Sequence, residues 1–219
     1  MTDNRPTVFI VDDDEVIRLS CNAVLQQVGL PTELFASASE FLGRYESSRA
    51  GCLLLDIRMP DMSGLDLQKQ LIYRGATIPI IFITGVAEVP VAVEALRLGA
   101  FHYLQKPIRM ESLLDWVRRA LAVDATTRAN MLERRQAEER FARLTERERK
   151  VLEYVVGGLS NKEAAARLHL STRTVEIHRA GLMKKLGARN TAHLVRMAIE
   201  VGLSTDSPSP GGEPAASED

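Results

Sequence analysis

Five short apolar runs, each followed by a stretch of helical spacing, constrain the first half of this chain more than any other feature. The runs Thr7 to Val11, Glu33 to Phe35, Cys52 to Leu55, Ile78 to Thr84 and Ala100 to Gln105 are rich in β-branched residues and too short for typical helices. Between and after them, Glu15 to Gln27, Ser39 to Tyr45, Leu65 to Tyr73, Pro90 to Leu98 and Glu111 to Ala122 carry helical spacing. Strands alternating with helices build a parallel sheet covered on both faces, and near-continuous apolar strands are what that burial requires. The expected fold class is therefore an α/β doubly wound five-stranded parallel sheet, followed by a small all-α four-helix domain.

The formal net charge of -1 conceals a division along the chain. Residues 1 to 124 carry a net -4, residues 125 to 205 a net +7, and residues 206 to 219 a net -4. Only the middle segment has an electrostatic reason to meet nucleic acid. The stretch TTRANMLERRQAEERFAR is highly charged and free of Gly and Pro, so a solvated linker helix is expected over 124–143, with a coiled-coil seam as the alternative. The polar, Pro- and Gly-rich acidic end, 204–219, is expected to be disordered. Cys21 and Cys52 form neither a disulfide framework nor a zinc pattern and are read as core residues. No window approaches the roughly 20 apolar residues that span a bilayer, so a cytoplasmic protein without membrane insertion is expected.

The sheet brings chemistry to one edge. The first strand runs into Asp12, Asp13 and Asp14, the third into Asp56, the fourth ends at Thr84 and the fifth at Lys106. All lie at the carboxyl edge, where open α/β folds place their sites. Clustered carboxylates repel one another and prepare such a pocket for a hard divalent cation such as Mg²⁺. With that repulsion neutralised, an aspartate can attack a phosphoryl group while an ammonium stabilises the equatorial oxygens.

The motifs VDDD at 11–14, LLLDIRMPDMSGLDL at 53–67, FITG at 82–85 and YLQKP at 103–107 resemble the flavodoxin-like receiver domain of two-component response regulators. The resemblance implies a receiver over 1–123 with Asp56 as phosphoryl acceptor. It also implies that Asp12, Asp13, Asp56 and the Arg58 carbonyl hold Mg²⁺, that Thr84 and Lys106 grip the phosphoryl oxygens, and that Tyr103 is the switch aromatic. From the residues alone, a half-buried strand residue is the lesser alternative for Tyr103. Lys106-Pro107 is where receivers often have a cis peptide. Val86, Ala87 and Glu88 depart from the more polar run of FixJ-type relatives, in a loop that influences phosphoryl lifetime.

Residues 144–203 repeat helix-start signals: Thr145 with Glu148 and Ser160 with Glu163 form capping boxes, Ser171 and Asn190 are N-cap residues, and Gly157 and Gly187 mark stops. Four short helices, two of them separated only by Leu168, His169 and Leu170, describe a helix-turn-helix. In the third, Val175, Leu182 and Leu186 share the core stripe, whereas Arg173, Glu176, Ile177, Ala180 and Lys184 face outward. An outward isoleucine and alanine suit thymine methyl groups in a major groove. Residues 144–187 resemble the LuxR-type helix-turn-helix, and the pairing with a receiver resembles the NarL/FixJ response regulators. This implies DNA docking through Thr174, His178, Lys184 and Lys185 and base reading by Glu176, Ile177 and Ala180, with His178 equally readable as a capping or core residue.

The function expected is a phosphorylation-controlled, DNA-binding transcriptional regulator. Its partners are a sensor histidine kinase, double-stranded promoter DNA and a second copy of itself when phosphorylated, with RNA polymerase as a further contact. It is not expected to be an enzyme of multiple turnover, since dehalogenase-like phosphatases place a second aspartate where Arg58 stands. An RNA-binding output lacks the aromatic stacking platform it would need in 144–203.

Overall fold

The computed structural model describes residues 5–85 and 89–203. The strands β1 (Thr7–Val11), β2 (Thr32–Phe35), β3 (Gly51–Asp56), β4 (Ile80–Thr84) and β5 (His102–Gln105) pair in parallel in the order β2-β1-β3-β4-β5. The period of two along each strand sorts side chains between two cores. Phe9, Val11, Leu53, Leu55 and Phe82 pack with Phe41 of α2 (Ala38–Arg44), Leu67 and Leu71 of α3 (Gly64–Tyr73) and Ala95 of α4 (Val89–Arg97). Val8, Ile10, Leu54, Ile81 and Ile83 pack on the other side with Cys21 and Leu25 of α1 (Glu15–Gln27) and Leu113 and Val117 of α5 (Met110–Ala142). Cys21 and Cys52 are free and buried, as core residues.

Two strands start later than their apolar runs. Pro79 has no N–H to donate, and β4 begins at Ile80. Ala100 N–H donates back to Ala95 O at 3.0 Å, closing the end of α4, so β5 begins at His102. Gly64 matters for the site, because a Cβ there would lie 2.2 Å from the Asp56 carbonyl oxygen, so α3 can start against the end of β3 only with glycine.

The chain divides into two compact units between Ala129 and Asn130. Helix α5 runs unbroken for 33 residues, where the sequence suggested two helices. Its middle is not simply solvated. Asp124 is 1% exposed and accepts from Gly51 N–H at 2.8 Å and from Arg128 Nε at 2.9 Å. Arg128 also donates to the carbonyls of Ser47, Ser48 and Arg49. Met131 and Leu132 are exposed, and Phe141 is buried in the core of the second unit.

That unit holds α6 (Glu146–Val156), α7 (Asn161–Leu168), α8 (Thr172–Leu186) and α9 (Thr191–Glu200). Both capping boxes form, and Ser171 and Asn190 cap α8 and α9. Gly187 ends α8 with φ +69°, whereas Gly157 ends α6 with ordinary φ and Gly158 takes the left-handed turn. His169 closes α7 at φ +54° without glycine's freedom, so no sequence signal marks that stop. Among the described residues no helix is long and apolar enough to cross a membrane. The Val86–Ala87–Glu88 departure and the 204–219 tail lie outside the described residues.

Candidate functional site

The strand order reverses direction between β1 and β3, and open α/β sheets bind ligands at the carboxyl side of that point. Val11 pairs with Leu55, so Asp12 and Asp56 emerge side by side from the two central strands. Asp56 is 4% exposed and Asp12 is fully buried. From the neighbouring loop, Lys106 Nζ stands 2.6 Å from Asp56 Oδ1 and 3.1 Å from Asp12 Oδ2, bridging both carboxylates. Its backbone N–H is anchored on Thr84 O at 2.8 Å, and the Lys106-Pro107 peptide is cis. Thr84 is buried and donates its hydroxyl to Gly85 O at 3.0 Å.

The electrostatics show what the pocket lacks. Burial, opposed by the Lys106 hydrogen bond and reinforced by the Asp12 charge, pushes the Asp56 carboxyl up to about 6. Burial likewise raises Asp12, against the Asp14 N–H and Lys106. One ammonium is too little positive charge for two buried carboxylates. Asp12 Oδ2 has no partner of hydrogen-bond geometry, while Asp56 Oδ2 accepts Arg58 N–H at 2.7 Å. A buried carboxylate oxygen whose one charged neighbour is an ammonium shared with a second carboxylate, in an all-oxygen donor set, fits a hard divalent cation.

Two carboxylates converge, not three. Asp13 is exposed at the rim, and among the described residues no group of three acidic, histidine or cysteine side chains is close enough for a metal cluster. Asp14 serves the fold instead, accepting Val16 N–H at 2.8 Å as the N-cap of α1. Tyr103 is half-buried against the α3 and α4 side of the sheet, and its neighbour His102 stacks on Trp116 with centroids 3.5 Å apart.

In the second unit, Val175, Leu182 and Leu186 are fully buried, whereas Arg173, Glu176, Ile177, Ala180 and Lys184 are exposed. Ile177 is 61% exposed, a large apolar side chain presented to solvent beside charged neighbours. Thr174 and His178 are half-buried, and the Thr174 hydroxyl lies 2.8 Å from that of Ser171. Lys185 is exposed and has a carboxylate beside it. Its Nζ is 2.7 Å from Oε2 of Glu148, a buried residue of α6 that also accepts Thr145 N–H at 2.8 Å. The Lys185 and Thr145 hydrogen bonds hold the Glu148 carboxyl down at about 2. Arg179, which no sequence signal singled out, donates to Asn161 in α7 and Thr191 in α9.

Residues 8–118 match the family model of the response regulator receiver domain, and residues 142–198 match that of bacterial regulatory proteins of the luxR family. The chain is 40% identical over 197 residues to the response regulator protein TodT of Pseudomonas putida, covering 90% of this chain and 87% of TodT. It is 42% identical to the transcriptional regulatory protein FixJ of Rhizobium meliloti, covering 90% of this chain and 97% of FixJ. Among solved structures it resembles the response regulator StyR, with TM-score 0.81 and 40% identity over 90% of this chain and 99% of StyR.

Proposed function

The chain belongs to the response regulators that join a receiver domain to a LuxR-family DNA-binding domain, and from that premise we propose how its residues divide the work. It is a transcriptional regulator whose DNA binding answers to phosphorylation; a sensor kinase is its input partner and DNA its output partner. Asp56 is the phosphoryl acceptor. The observation that carries this is the placement of Asp56 at the end of β3, buried beside Asp12 and bridged by the Lys106 ammonium.

In the transfer, an Asp56 oxygen forms the new bond to phosphorus while the bond to the donor's leaving atom breaks. The donor is a phosphohistidine of the kinase or a small acyl phosphate. Lys106, released in part from Asp56 as that carboxylate becomes an acyl phosphate, follows the charge onto the phosphoryl oxygens. Thr84 turns its hydroxyl toward the same oxygens. Asp12, Asp13, Asp56 and the Arg58 carbonyl would hold Mg²⁺, which when bound neutralises the carboxylates against an anionic donor. No further substrate is turned over, because the phosphoryl group stays on the protein until water removes it.

Tyr103 is the switch aromatic, and the α4 and β5 face pairs with a second copy once Asp56 is modified. In the second unit, Arg173, Glu176, Ile177 and Ala180 enter the major groove of promoter DNA, with Thr174, His178 and Lys184 on the phosphates. Lys185, held by Glu148, chiefly braces α8. RNA polymerase is a further contact, and the working compartment is the cytoplasm. The test of the acceptor is labelling by acetyl phosphate with and without chelator. Asp56→Asn should abolish it; undiminished labelling of that variant refutes the assignment.

A further inference from the structure

Among charged side chains of the helix-turn-helix, Arg179 is out of place. At about 100° per residue it falls within about 40° of Val175 and Leu186 on the stripe of α8 that faces the core. The residue is half-buried, and no carboxylate among the described residues forms an ion pair with it. The planar fork is spent on two neutral acceptors instead: Nη1 donates to Asn161 Oδ1 at 2.9 Å and Nη2 to Thr191 Oγ1 at 2.6 Å. Asn161 is the first residue of α7 and Thr191 the first of α9. One side chain thus ties the middle of α8 to the starts of both flanking helices.

We propose that Arg179 is the positioning residue that fixes the rotation of α8, and through it the aim of Glu176 and Ile177 at base edges, while touching no base itself. The inference rests on the reading that α8 enters the major groove. Arg179 and Ile177 lie about 160° apart around the helix, so when Ile177 faces DNA the guanidinium faces away from it. Two donors on one rigid plane resist rotation in a way that a point ammonium cannot. The apolar stripe is a weaker guide to rotation. Val175, Leu182 and Leu186 leave a narrow seam, and Gly181, whose missing Cβ leaves room for Glu148, supplies no side chain there.

The lever is short and steep. Side-chain tips stand roughly 5–6 Å from a helix axis, so a turn of about 15° displaces a tip by about 1.5 Å. Hydrogen-bond geometry does not survive that displacement. Contacts to phosphates, made by long and mobile side chains, do survive it. Loss of the fork should therefore cost sequence preference and spare non-specific affinity.

The experiment uses the full chain, treated with acetyl phosphate and Mg²⁺, on a duplex selected from random DNA and on a scrambled duplex of the same length, over a range of salt. Arg179→Lys keeps the charge and removes the fork. It should lower the ratio of specific to non-specific affinity by about 5- to 30-fold, with the loss at the base pairs read by Glu176 and Ile177. The scrambled duplex should be bound within twofold of the parent and with the same salt slope. Asn161→Ala with Thr191→Val, both at helix starts outside the core, should reproduce the loss, and adding Arg179→Lys to that pair should change little more. An unchanged ratio in Arg179→Lys and in the Asn161/Thr191 pair overturns the proposal. So does uniform weakening on both duplexes with a slope lower by about one, which would make Arg179 a phosphate contact. If the parent chain prefers neither duplex, the groove reading falls and this proposal with it; preference intact in every variant removes this proposal alone.

Discussion

Replacing Glu148 should destabilise the DNA-binding unit selectively. Its Oε2 accepts Thr145 N–H at 2.8 Å, the Thr145 hydroxyl at 2.9 Å and Lys185 Nζ at 2.7 Å, in a residue only 6% exposed. Truncation to alanine removes the reciprocal arm of the α6 capping box, worth about 1 kcal/mol. It also removes a charge-assisted bond worth about 1.5–3 kcal/mol, of which the lower end applies because the Lys185 side chain, 42% exposed, can turn to water. Glu148→Ala should thus cost about 2–3 kcal/mol, or roughly 10–20 °C for a unit of this size. The acid side supplies a sign. A carboxyl held down at about 2 contributes stability that is complete above the ordinary range near 4.5 and is lost as pH falls toward 2. Glu148→Gln should remove that acid-dependent loss. Hydrogen exchange resolved by peptide reads α6 and α8 separately from the first unit, whose Trp116, the only tryptophan, serves as an internal control by fluorescence. Protection of α6 and α8 unchanged in Glu148→Ala, or the same acid loss persisting in Glu148→Gln, would refute the reasoning.

Asp124→Ala should destabilise the first unit by about 2–4 kcal/mol, read by Trp116 fluorescence in urea, because it strands the buried Gly51 N–H and removes the carboxylate from Arg128. A shift under about 0.5 kcal/mol would make the clamp incidental. Ile177→Ala should relax preference at one base pair per half-site by about 1–3 kcal/mol with helicity intact, whereas Lys184→Ala should weaken all sequences alike and flatten the salt slope by about one. Loss of helicity in Ile177→Ala would contradict its outward placement. Val93, Leu96 and Leu98 are exposed on and just beyond α4, so phosphorylated chain should sediment as a dimer and Leu96→Glu as a monomer; an unmodified dimer indifferent to that change counts against this face.

The sheet was legible because buried parallel strands are continuous apolar runs, and the pocket because its residues sit at strand ends, where sequence position and spatial position coincide. The approximate phase of α8 was legible for the same local reason: the stripe of Val175, Leu182 and Leu186 tells which side faces the core, though not the finer rotation that Arg179 is proposed to set. What escaped depends on partners distant along the chain. Asp124 and Arg128 read as part of a solvated charge run, since nothing local announces carbonyls about 80 residues away. The ion pair of Lys185 with Glu148 joins residues 37 apart, and no local pattern announces it. Adjacency in VDDD does not tell apart three acids that the fold separates: Asp12 is buried beside Asp56, Asp13 stands exposed at the rim, and Asp14 caps a helix.

The central claim is that chemistry at Asp56 governs DNA binding, and the affinity of full-length protein for its selected duplex, with and without acetyl phosphate and Mg²⁺, tests it most directly. The parent chain should bind more tightly after treatment, and chelator should abolish the gain. Asp56→Asn should bind equally before and after, at the untreated level of the parent. A gain of the same size in Asp56→Asn, or in the parent with chelator present throughout, would contradict the account.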